Sequence, residues 1–148
     1  MRSFSAPLFA DCTGDGTMGV LAGAKYMNGR EDSNVFGETT APKVFDHFTM
    51  GSSVQWYATE QQTAINFPDI QWGLPWDEGK TEKLTRGDWN WETGMGFDQI
   101  TEFERIRDYG LLVVYSNWSY LKNHSEAKDS FAKHQLQCVR AGNYWVEE

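Results

Sequence analysis

Apolar and polar positions along this chain repeat with two periods, and each period picks out an element. From Leu111, the apolar positions Leu111, Val114, Trp118 and Leu121 fall at steps of three, four and three. That spacing keeps one face of a helix apolar. Phe103 and Ile106 extend the face toward the N-terminus, and Asp98 stands where a cap is expected. Leu111–Tyr115 is apolar all round, so this turn is expected to lie deepest. Gly110 costs a helix about 1 kcal/mol against alanine and marks a bend or a close packing contact. Asn123-His124-Ser125 ends the helix, and the polar run Glu126–Lys133 predicts a second, short one.

Period two appears earlier. Val54, Trp56 and Ala58 alternate with Gln55 and Tyr57, as in a half-buried strand, and Trp89-Asn90-Trp91-Glu92 alternates in the same way. Between them Pro68, Gly73, Pro75, Gly79 and Gly87 punctuate loops and short strands. Nearer the N-terminus, Leu8-Phe9-Ala10 is a short apolar run closed by turn residues, the pattern of a buried strand. Thr17 to Lys25 then reads as a helix of small and apolar residues, with Asn28-Gly29 as its stop. The expected class is α/β, or α+β for an isolated piece. Residues 1–30 form a strand–turn–helix unit, 31–96 a β-rich region, and 97–148 a long helix with a C-terminal segment.

Composition narrows the function. With 148 residues, 40% hydrophobic and 23% charged, the chain is globular in character. A net charge of −8 disfavours nucleic acid, whose phosphates need a basic face. No apolar run approaches the ~18 residues that span a bilayer. The N-terminal residues lack the apolar core of a secretory signal, leaving cytoplasm and periplasm both open. A small-molecule partner remains. Cys12, Cys138, His47, His124 and His134 share no metal-ligand spacing, so no metal is expected, and Cys12 reads as a small buried residue. The patterns Asn117-Trp118-Ser119 and Asn123-His124-Ser125 match a glycosylation acceptor, but fall in or at the end of the predicted helix. Arg30-Glu31 and Arg105-Ile106-Arg107-Asp108 read as solvated ion pairs. Seven tryptophans suit an aromatic core or a flat ligand site. The second use defines an alternative: a non-enzymatic, tryptophan-rich β module, for carbohydrate for example. It requires a closed sandwich with Trp72, Trp76, Trp89 and Trp91 on one open face.

Gly14-Asp15-Gly16-Thr17-Met18-Gly19 satisfies G-x-G-x-x-G between a predicted strand and a predicted helix. Glycine permits a sharp turn and a close ligand approach, and helix-start N–H groups favour an anion. A nicotinamide-type Rossmann unit is nevertheless the wrong assignment. Tyr26–Arg30 is no buried second strand, and Asp15 would repel a pyrophosphate. The bland role for Asp11 and Asp15 is to brace the turn through backbone N–H groups.

The run Leu8-Phe9-Ala10-Asp11-Cys12-Thr13-Gly14-Asp15-Gly16, continued by Leu21-Ala22-Gly23-Ala24 and Gly29-Arg30-Glu31, resembles the D-x-T-G-D-G, A-G-A and G-R-E region of bacterial FAD-dependent oxidoreductases. These have a glutathione-reductase-like FAD-binding fold. The resemblance continues through Met50-Gly51-Ser52-Ser53, Trp89-Asn90-Trp91-Glu92, Ile106-Arg107-Asp108 and Tyr120-Leu121-Lys122-Asn123-His124, covering most of residues 8–137. It implies FAD as cofactor, with Thr13, Gly14, Asp15 and Gly16 the positions nearest to it; by its charge Asp15 fits a hydroxyl better than a phosphate. Residues 1–30 then belong to the FAD-binding domain and 31–96 to a substrate or cap region. In the family a pyrophosphate-binding βαβ unit precedes this region. Its absence here implies an internal or C-terminal fragment that binds FAD weakly or not at all, with the remainder of the flavoprotein as a partner. The family's later V-x-G-K-R-E-like stretch is also replaced here by Val139–Glu148, as in a truncated or altered gene product. The resemblance names no catalytic residue.

Overall fold

Among the described residues, Ser52–Glu60 is the strand with which every other strand pairs. In a computed structural model, which describes residues 3–88 and 90–141, two short helices come first, α1 (Thr17–Leu21) and α2 (Ser33–Phe36). Then follow β1 (Ser52–Glu60), β2 (Arg86–Gly87), β3 (Glu92–Thr93), the long helix α3 (Phe103–Asn123), a 3₁₀ turn (Lys128–Phe131) and β4 (His134–Ala141). All pairings are antiparallel, so the fold is mixed α and β in the α+β sense. Val54 pairs with Ala141 and Glu60 with His134, with a register shift between Tyr57 and Ala58. Trp56 also faces Gly87, and Ser52 faces Thr93.

The alternation in β1 has its predicted consequence. Ser52, Val54 and Trp56 are buried, and α3 packs Val114, Trp118 and Leu121 against Val54 and Trp56. Gly110 marks close packing: a Cβ there would overlap the Val54 side chain. Gly87 serves Trp56 similarly, since a Cβ would run into the indole. Trp56 stacks on Trp91 with ring centroids 5.9 Å apart and planes 12° from parallel, and tilts against Trp118 at 5.8 Å. Phe131 closes the cluster edge-on to Trp118 at 6.3 Å. Lys122 fastens this corner by donating to the carbonyls of Phe131, Ala132 and His134 at 2.8–3.0 Å.

A second side of α3 is polar and equally buried. Residues 61–85, which contain no helix or strand, run along it. The Ser119 hydroxyl accepts from the Ile70 N–H and donates to the Pro68 carbonyl. The Ser116 hydroxyl accepts from the Leu74 N–H. Asn117 grips Glu82 at both backbone groups, accepting at 3.0 Å and donating at 3.1 Å. Asn123 donates to the Phe67 carbonyl. Buried backbone requires such partners, and a segment without a ladder must take them from side chains.

Several expectations are corrected. Leu8–Ala10 is no strand: none of the described strands lies beside it, and Leu8 and Phe9 are 87% and 62% exposed. α1 ends at Leu21 rather than Lys25, because Gly23 turns left-handed at φ 80°. Asn28-Gly29 is not its stop; Gly29, at φ 90°, lets the backbone close on Asp46, where Arg30 and Asp46 form a bridge. Asp98 caps the turn before the helix, accepting from the Ile100 and Thr101 N–H groups at 2.9 Å, and α3 starts five residues later at Phe103. The deepest turn is Ser116–Ser119, not Leu111–Tyr115, where only Val113 and Val114 are fully buried. Of the alternation at residues 89–92, strand structure is found at Glu92–Thr93, and Trp89 lies outside the described residues. Cys12 is exposed rather than buried, because the strand expected before it is absent. Among the described residues no helix is long and apolar enough to cross a membrane.

Two substitutions test this packing by urea denaturation. In open space Gly110→Ala would stabilise a helix, but the stiff, buried Val54 stands in the way. We expect a net loss of about 1–3 kcal/mol. Asn117→Ala leaves both backbone groups of Glu82 without their partner and should cost about 2 kcal/mol.

Candidate functional site

The glycine turn is built by one carboxylate and one hydroxyl. Asp11 accepts from the Thr13 N–H (3.0 Å) and hydroxyl (2.6 Å) with one oxygen, and from the Gly19 N–H (2.8 Å) with the other. The Thr13 hydroxyl in turn accepts from the Thr17 N–H at 2.9 Å, at the start of α1. Asp11 therefore ties the entry of the turn to the helix beyond it. The Thr13 hydroxyl, then the Gly19 and Thr13 N–H groups, hold its carboxyl below the usual carboxylate range. Gly14 and Gly16 both have positive φ, at 85° and 68°. No atom lies within 4 Å of where a Cβ would stand on either, so that side of the turn is open.

Beside the turn is an open cleft of about 890 Å³. One wall is the turn, α1 and the segment to Arg30; the other is Phe48–Gly51 with Gln99 and Ile100. Of the four residues expected nearest the cofactor, Asp15 and Gly16 line this cleft, whereas Thr13 and Gly14 are not among its lining residues. Arg30 lines it too, but its guanidinium is paired with both oxygens of Asp46, at 2.5 and 3.1 Å. That pairing raises the Arg30 pKa and lowers that of Asp46. Arg30 also lies 5.1 Å over the Phe48 ring, joining the two walls at one end.

Gln99 organises the second wall. Its amide nitrogen donates to the carbonyls of Met50 and Gly94, both at 3.1 Å, and its oxygen accepts from the Ser52 hydroxyl at 2.6 Å. Thr49 adds a bond from its hydroxyl to the Phe97 carbonyl. Met50-Gly51-Ser52 carries part of the family resemblance but no sign of a place in this wall, and Gln99 and Phe48 carry no local signal.

The remaining candidates fall elsewhere. Trp56 and Trp118 are core, Trp91 stacks on Trp56, and Trp76 tilts against Trp91. With α3 over a single sheet, the described residues form no closed sandwich presenting Trp72, Trp76 and Trp91 on one flat face. His124 pairs with Asp69 at 2.8 Å, and Arg105 and Arg107 pair with Glu102 and Asp108. Asn117 and Asn123, the two potential acceptor asparagines, are occupied by backbone hydrogen bonds. Among the described residues no group of three or more His, Cys, Asp or Glu is arranged to hold a metal ion.

Comparison with known proteins gives one match. A family described as FAD dependent oxidoreductase matches over residues 1–147. No curated protein and no solved structure matches the chain.

The brace on the turn titrates. A carboxyl with a lowered folded pKa contributes fully above its unfolded value, near 3.9, and loses its contribution as pH falls through the folded one. Acidification through the folded pKa, which lies below the usual carboxylate range, should therefore release the Gly19 N–H, seen as an upfield amide proton shift. Asp11→Asn, which lacks the second acceptor oxygen, should show that shift already at neutral pH with the melting temperature unchanged.

Proposed function

The chain belongs to the FAD dependent oxidoreductase family, and from that premise we propose that the glycine turn and its cleft form one face of the FAD site. The observation that carries this reading is the open side of Gly14 and Gly16 on a braced turn beside a cleft. Thr13, Gly14, Asp15 and Gly16 are the residues nearest the cofactor in this reading. FAD, when bound, supplies the electron acceptor for oxidation of a small-molecule substrate.

The character of the cleft selects the part of the cofactor that would lie there. Asp11, Asp15 and Lys25 border it, the two carboxylates at the turn itself, and Arg30 is already engaged by Asp46. A carboxylate accepts from a hydroxyl and repels a phosphate, so these residues fit a hydroxyl-bearing part of FAD rather than its diphosphate. Asp15 is the acceptor in this reading, and the backbone of Gly14 and Gly16 allows close approach. Lys25 is the cation that this cleft offers besides the paired Arg30, so the diphosphate needs further donors, supplied by the remainder of the flavoprotein as partner. Residues 1–30 belong to the FAD-binding part, 31–96 to the substrate or cap side, and 97–148 to the long helix and C-terminal segment, in a glutathione-reductase-like arrangement.

Titration with FAD tests this, followed by flavin fluorescence and by amide shifts of the ¹⁵N-labelled chain. Binding should be weaker than about 10 μM. Shifts should gather at Gly14, Asp15, Gly16, Gly29 and Gly51 and spare β4. Submicromolar affinity would overturn the assignment of the diphosphate to a partner. Shifts confined to other residues, or none with millimolar FAD, would overturn the site itself.

A further inference from the structure

A second cleft, of about 680 Å³, opens between the 74–76 segment, the neighbourhood of β3 and the exposed side of α3. It shares no lining residue with the first. Trp76, Trp91 and Tyr109 supply its aromatic lining, and Glu92, Asn90 and Lys80 its polar part. The two indoles meet as a corner, with centroids 5.9 Å apart and planes tilted by 55°. Trp91 is held from behind by Trp56, stacked on it and itself only 3% exposed. One wall of the corner is thus fixed by the core, while the Tyr109 ring is 51% exposed.

The charges are unequal. Lys80 is neutralised by Asp77 at 3.0 Å. Glu92 is exposed, and no ion pair among the described residues engages it. The cleft therefore combines aromatic rings with one uncompensated carboxylate, on a chain of net charge −8. Aromatic faces attract cations through the ring quadrupole, most strongly organic ammonium ions with a weakly hydrated surface. A negative field raises the local concentration of such ions and repels anions. A neutral ligand could use the rings and donate from a hydroxyl to Glu92, but it would gain nothing from the ring quadrupole or from the charge of Glu92.

We propose that the Trp76–Trp91–Tyr109 cleft binds a compact organic ammonium ion, with Glu92 as its counter-ion. The site is independent of the FAD reading, because neither the cleft nor its test involves the turn.

Choline is the probe, with 3,3-dimethylbutan-1-ol as its uncharged isostere and glucose as a neutral polyhydroxylated control. Tryptophan fluorescence and calorimetry at low salt should show saturable choline binding. The alcohol should bind at least about threefold more weakly, as expected for a cation–π contact at a partly exposed site. Glu92→Gln and Tyr109→Leu, both at exposed positions, should each weaken choline by about threefold or more without lowering the melting temperature. No choline binding would overturn the proposal. Equal affinity for the alcohol, binding of glucose in its place, or choline affinity unchanged in both variants would also overturn it.

Discussion

The fold depends on how the backbone of residues 67–82 finds hydrogen-bond partners. That segment has neither ladder nor helix, yet it lies against α3. Ser116, Asn117, Ser119 and Asn123 meet this demand from one side of the helix. Its apolar side rests on β1, at the distance that Gly110 allows against Val54. The helix therefore holds two unlike layers at once, a sheet by dispersion and desolvation and an irregular segment by polar side chains. Removing either side leaves the other without support, since the tryptophan cluster spans both: Trp76 comes from the segment, Trp56 from the sheet and Trp118 from α3.

β1 and α3 were legible because their periods are strong and the structure uses them as written. What the pattern could not show was the role of the serines and asparagines in α3. At residues 116–119 they look like an exposed face by composition, yet they are its most buried turn. A polar residue is buried when a backbone group needs it, and that need arises in residues 67–82, far away in sequence. The converse error occurred at Leu8–Ala10. Periodicity reports which residues favour burial; it does not report whether a paired strand stands beside them.

The candidate site divides along the same line. Its local half, the turn from Asp11 to Gly19, was visible as a motif because its bonds are short-range. Sequence alone could not separate the two acids of that turn. The geometry shows Asp11 bracing the turn, and both acids line the cleft. The opposite wall was hidden, because Gln99 reaches the Ser52 hydroxyl across 47 positions of the chain. Such a contact has no spacing rule and follows from the β1–β3 pairing, which brings Ser52 beside Thr93 and the 94–97 turn beside Met50.

These two kinds of order also differ in strength. No residue of α1 or α2 is buried, and Phe4, Leu8, Phe9, Leu21, Val35 and Phe36 are all exposed. Residues 3–50 keep their shape through a few backbone bonds and side-chain brackets, Asp11 on the turn, Asp32 on α2 and Asp46 on Arg30. Exposed hydrogen bonds of this kind contribute far less than a buried tryptophan or leucine does. Opening of the turn is therefore separable from unfolding of the core, as expected of a low-stability unit in a structure whose local stabilities differ. A ligand or partner that covers this apolar arm would add the burial it lacks. On this argument order at the glycine turn is coupled to occupancy of its cleft, while β1, α3 and the aromatic cluster hold their geometry without it.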